Sequence, residues 1–175
     1  MDTQIQKSAL TAGLSLLLMT ILSILIFPSL QATTLHISGI GIIIILDIIV
    51  ALALYSFLKP ANQRLSLWTA VFRIVYALIF VVALIKMPDL DAFNYVWERG
   101  LLVFGFHLLL LGLLTIQAKY VPKWIGYLVL IASAGYIIDS LGVFWGYSWQ
   151  IGIYTFIGEL VFMLWLLIKG RKINI

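Results

Sequence analysis

The stretch Ile40–Leu54, IGIIIILDIIVALAL, decides the fold. It is apolar on every side, without the period-2 alternation that a half-exposed strand or a membrane-barrel strand requires. Extended outward it becomes Ile37–Leu58, long enough as a helix to cross about 30 Å of hydrocarbon. FHLLLLGLLTI, Phe106–Ile116, has the same character. A single carboxylate, Asp47, stands in the middle of the first stretch.

Six segments of this kind recur: Ala9–Phe27, Ile37–Leu58, Leu65–Ile85, Gly100–Ile116, Trp124–Leu141 and Gln150–Ile168. The fold class they predict is all-α, a polytopic membrane protein built as a bundle of six transmembrane helices in one domain. The composition agrees, with 63% hydrophobic and 10% charged residues. Soluble domains are roughly 45–50% apolar and about 25% charged. Pro28, Pro60, Pro88 and Pro122 all fall between the segments, where proline ends a helix without costing an internal hydrogen bond. The first segment exceeds the apolar length of a cleaved signal and lacks a small-x-small site after it, so it is read as a retained helix.

The chain has no cysteine, which excludes disulfides, thiolate catalysis and cysteine-bound metal. Its formal charge of +4 does not point to nucleic acid, because the positive residues are sorted by side. Lys7, Lys59, Arg64, Lys119, Lys123, Lys169, Arg171 and Lys172 fall on one side of the predicted bundle, and Lys86 and Arg99 on the other. The positive-inside rule then places both termini in the cytoplasm. Trp68, Trp97, Trp124, Trp145, Trp149 and Trp165 lie near predicted interfaces, as an aromatic belt would. The expected partner is the lipid bilayer. Lys86–Arg99, KMPDLDAFNYVWER, is read as a solvated loop, with a small lid or an interfacial helix as the alternative.

Five ionisable residues fall inside the spans: Asp47, Arg73, His107, Asp139 and Glu159. Each isolated charge there costs roughly 2.5–3.5 kcal/mol, so such groups face the bundle interior, pair, or sit neutral. The helical rise puts Asp47 about 15 Å, His107 and Glu159 about 10–14 Å and Arg73 about 18 Å below the outer boundary, one level near the midplane. Tyr76 follows Arg73 by one turn, and Asp139, nearer the outer surface, follows Tyr136 by one turn. Asp47, Arg73, Tyr76, His107, Tyr136, Asp139 and Glu159 are therefore the candidate pocket residues. Gly105 and Gly112 on one helix, with Ser133, Tyr136 and Ser140 on the next, are read as close-packing positions.

Three functional readings stay open. The first is a non-enzymatic protein with a polar intramembrane pocket for a small hydrophobic or polar ligand, or for a membrane-protein partner or second copy. The second is an intramembrane enzyme on a lipid-soluble substrate, with Glu159 or Asp139 as acid/base, His107 as partner and Arg73 holding an anionic group. The third is a structural accessory subunit, in which Arg73 only neutralises Asp47 or Glu159. No metal and no cofactor is expected. Two histidines, His36 and His107, are few for a metal site, and no H-E-x-x-H, G-x-S-x-G or glycine-rich phosphate loop occurs.

Several stretches together carry a family resemblance. They are LYSFLKPANQRLSL (Leu54–Leu67), the pair Phe72–Arg73, FHLLLLGLL around His107, KYVPKWIGYLVLIASAGYIIDSL (Lys119–Leu141) and GELVFMLWLLIKG (Gly158–Gly170). Jointly they resemble the bacterial membrane domain-of-unknown-function family 4386. The resemblance implies a multi-span protein of a bacterial inner membrane and supplies no activity. The matched positions include Asp47, Arg73, His107, Tyr136, Asp139 and Glu159, and the first helix matches only loosely.

Overall fold

A computed structural model describes residues 2–173. Its helices are α1 (Asp2–Ile26), α2 (Thr34–Leu58), α3 (Gln63–Ile85), α4 (Leu90–Gln117), α5 (Lys123–Phe144), α6 (Ile151–Thr155) and α7 (Ile157–Ile168), and the described residues form no strand. Among the described residues, six helical segments are long and apolar enough to cross a membrane, the last comprising α6, α7 and the turn that follows. Hydrocarbon offers no hydrogen-bond partner, so a lone spanning segment must satisfy its backbone internally, as a helix does.

Polar residues placed at the connections set the helix starts. Asn62 accepts at 3.1 Å from the Leu65 N–H, and Asp89 accepts at 3.1 Å from the N–H groups of Asp91 and Ala92. This last cap changes the reading of KMPDLDAFNYVWER. The stretch from Leu90 is not a solvated loop; it is the opening of α4 and runs unbroken into the span. Met87 and Phe93 are fully buried there, and Phe93 and Trp97, one turn apart, stack together at 6.1 Å. That apolar face outweighs the scattered charges of the stretch.

The helices form a ring. Each neighbour pair packs in turn, α1 on α2, α2 on α3, α3 on α4 and α4 on α5, and α5 packs on both α6 and α7. The ring closes where α7 and the turn Gly170–Lys172 meet α1. The α4–α5 contact is the most extensive, because Gly112 and Gly126 let the two backbones nearly touch. A Cβ on Gly126 would stand 2.8 Å from the Gly112 carbonyl oxygen. Ser133 donates to the Gly105 carbonyl at 2.8 Å and Ser140 to the Glu98 carbonyl at 2.5 Å, so the small residues do serve close packing. Gly158 does the same for α7, where an added Cβ would run into the Leu128 carbonyl oxygen.

Candidate functional site

The ring encloses a cavity of about 470 Å³, to which every long helix contributes. Its wall is mostly apolar and aromatic, with Phe27, Tyr76, Phe80, Trp97, Phe104 and Phe156 among the lining side chains. Phe27 stacks on Trp97 at 4.9 Å, and Tyr76 and Tyr136 flank Phe104 at 4.9 and 5.2 Å. The rings pin one another, so the wall holds its shape through packing.

At the blind end sits a buried charge array. Arg73 is 2% exposed and Asp47 1%, with Arg73 Nη2 standing 2.7 Å from Asp47 Oδ1. Charge and distance hold this pair. The guanidinium N–H bonds are not directed at the carboxylate, and neither Asp47 oxygen nor Arg73 Nε has a hydrogen bond. The other guanidinium nitrogen, Nη1, lies 3.1 Å from His107 Nε2, and His107 Nδ1 lies 2.8 Å from the Thr69 carbonyl oxygen. A carbonyl can only accept and a guanidinium can only donate, so the histidine carries its proton on Nδ1 and is neutral. Phe104 adds its ring face 5.5 Å from the guanidinium carbon. Met19 of α1 brings its sulfur to 4.0 Å from Nη2.

Glu159 faces the same cavity from the first turn of α7, where the helix dipole favours a carboxylate. Its Oε1 is buried without a hydrogen bond, and no cation lies within ion-pair distance of it among the described residues. The Tyr136 side chain is its polar neighbour in the cavity lining. Glu159 is partly exposed and lines the cavity, although its Oε1 is itself buried.

Asp139 has a different task. Its two oxygens accept from the N–H groups of Ile151 at 2.8 Å and Gly152 at 2.6 Å, capping α6 from the neighbouring helix. The cap needs the chain to double back through Gly146 and Gln150, which both take positive φ, 81° and 57°. Tyr76 accepts from Trp97 Nε1 at 3.3 Å, which fixes the indole at the cavity wall. His36 lies outside the cavity, within 2.5 Å of the Thr33 hydroxyl at the start of α2.

Depth along the helices therefore brought Asp47, Arg73 and His107 into contact, and Glu159 to the same cavity but not to the same pair. Sequence reasoning missed the whole contribution of α1. Leu16, Met19, Thr20, Ser23, Ile24 and Phe27 line the cavity from one helical face. Their spacing was the available signal, since Thr20 and Ser23 are polar in an otherwise apolar run.

Comparison with known proteins gives a family and no activity. A family model described as "Domain of unknown function (DUF4386)" matches residues 28–90 and 89–170. A protein of Archaeoglobus fulgidus described as "Uncharacterized protein" is 50% identical over 156 residues, which cover 89% of this chain and 96% of that protein. No solved structure matches.

Proposed function

The chain belongs to the DUF4386 family, and from that premise we propose that it is a six-span protein of the cytoplasmic membrane that binds a small ligand in its central cavity. The positive residues gathered at the connections near the termini support an orientation with both termini in the cytoplasm. One observation carries the binding reading: Glu159 presents a carboxylate without an ion-pair partner to a cavity of about 470 Å³. That volume lies in the range of small-molecule sites, and a largely apolar wall with a few convergent polar groups is their usual make-up.

Binding fits the geometry better than catalysis. Both His107 nitrogens and both Asp139 oxygens are already committed to hydrogen bonds, so neither is free as an acid or base. A purely structural role accounts for Arg73 and Asp47 but leaves Glu159 without a cation among the described residues.

The experiment is native mass spectrometry of protein purified in mild detergent, comparing wild type with Thr20→Phe/Ser23→Phe, which fills the cavity from α1. Wild type should retain a bound small molecule that the filled variant loses. Identical molecules on both proteins, at equal occupancy, would defeat the proposal.

A further inference from the structure

We propose that the ligand is an amphiphile bearing a primary ammonium group, drawn sideways from the bilayer through the seam between α1 and α6 and seated with its nitrogen on Glu159. This rests on the cavity being a ligand site, and it adds the ligand's chemical class and its route.

The route follows from how the ring closes. α1 is held by α2, by α7 and by the turn Gly170–Lys172, whereas α6 packs on α5. Gly13 of α1 meets Leu167 and Ala9 meets Gly170, so the α1–α7 contact lies toward the end of the bundle that carries the termini. Beyond that contact, α1 and α6 both border the cavity. Ile24 is 67% exposed and Ile153 is 69% exposed, yet both line the cavity. Side chains that border the interior and the exterior at once mark an opening. Its edges are isoleucines, which suit acyl chains. A headgroup passing between them would meet Thr20 and Ser23 on the way in.

The chemical class follows from what the lining offers. Its ionisable groups are four carboxylates, Asp47, Glu98, Asp139 and Glu159, against the single guanidinium of Arg73. That guanidinium already faces Asp47, and Asp139 is spent on α6. Glu159, by contrast, lines the cavity with no cation within ion-pair distance among the described residues. An anion entering here would be buried among like charges. A quaternary ammonium would supply charge and no N–H. A primary ammonium supplies charge and three donors, in a cavity lined by the aromatic side chains of Tyr76, Phe104 and Phe156.

The test uses protein in phosphatidylcholine nanodiscs and three ten-carbon probes: decylamine, decyltrimethylammonium and decanoate. Fluorescence of Trp97 and Trp149, which line the cavity, reads binding. Decylamine should bind saturably, at least about tenfold tighter than decyltrimethylammonium, and decanoate should not bind, as a hydrogen-bonded charge contact predicts. Glu159→Gln should weaken decylamine by at least about tenfold at an unchanged melting temperature. The comparison among probes needs no variant, so it decides even if Glu159→Gln folds poorly. Lyso-phosphatidylethanolamine in place of decylamine tells a lipid headgroup from a free amine. Because the chain has no cysteine, Ile24→Cys/Ile153→Cys can be bridged with a bismaleimide, which should slow decylamine association. Equal or stronger binding of decanoate or decyltrimethylammonium overturns the ligand class, and an unchanged association rate after bridging overturns the route. Saturable binding of none of the probes, with no molecule retained in the mass spectrum, overturns the ligand site itself.

Discussion

Asp47→Leu tests the buried array most directly. It leaves the Arg73 guanidinium at 2% exposure with no counter-charge, while the leucine side chain keeps the site filled. Removing one partner of a buried ion pair costs about 3–5 kcal/mol, most of it from stranding the other charge. Here His107 Nε2 still accepts from Nη1 at 3.1 Å and the Phe104 ring remains 5.5 Å away, so the low end, about 3 kcal/mol, is expected. Asp47→Leu/Arg73→Met removes both charges and replaces them with apolar groups, and should fall within about 1 kcal/mol of wild type. The double-mutant cycle should then return a coupling of at least about 2 kcal/mol. The assay is reversible unfolding in mixed micelles against rising sodium dodecyl sulfate, followed by tryptophan fluorescence. A cost below about 1 kcal/mol for Asp47→Leu, or a double variant no better than the single one, would refute the claim that Asp47 holds a desolvated Arg73.

Gly158→Ala should destabilise by about 1–3 kcal/mol, because its Cβ would run into the Leu128 carbonyl, a backbone atom that cannot step aside. Gly41→Ala is the matched control: an added Cβ there meets nothing within 4 Å, and the same unfolding assay should find it neutral or slightly stabilising. Asp139→Asn should raise the hydrogen-exchange rates of the Ile151 and Gly152 amides by about tenfold or more while leaving α5 protected, since only the cap of α6 weakens. Equal rates would mean that the carboxylate is not the cap. Burial pushes the Tyr120 phenol in the α4–α5 connection up to about 12. Its neutral form is favoured by the fold, so its contribution is complete below the ordinary value of 10 and lost as pH climbs toward 12. Ultraviolet titration should lose one late tyrosinate step in Tyr120→Phe, and that variant should also lack the hydrogen bond to the Phe57 carbonyl, 2.7 Å in the native protein.

How much of this was legible depended on which coordinate the sequence encodes. The run Ile40–Leu54 fixes a helix because its length and lack of alternation leave no other way to satisfy its backbone. Depth is also encoded, at a constant rise per residue. That is why Asp47, Arg73 and His107 could be matched across three helices. Rotation about each helix axis is not encoded in the same way, so the partner of Arg73 was undecided between Asp47 and Glu159 until packing chose. The role of Asp139 was hidden for a different reason. It caps a helix that exists only because the chain turns back through Gly146 and Gln150, and a left-handed glutamine leaves no mark in a sequence. Leu90–Arg99 was misjudged by weighting its charges over its pattern. Asp89 before Asp91 is a helix-start signal, and Phe93 and Trp97 stand one turn apart.

The closure of the ring by α1 and α7 has a consequence for how the molecule is made. A helical hairpin such as α4–α5 finds its partner as soon as it leaves the ribosome. The face of α1 that carries Ala9 and Gly13, by contrast, waits for Leu167 and Gly170, and Gln6 waits for the carbonyl of Ile173, 167 positions later. Until α7 arrives, that face of α1 has only lipid or a passing helix to cover it, and the ring stays open. Insertion of α7 is therefore the step that completes the bundle, and a chain stalled before Ile157 leaves packing surface uncovered within the bilayer.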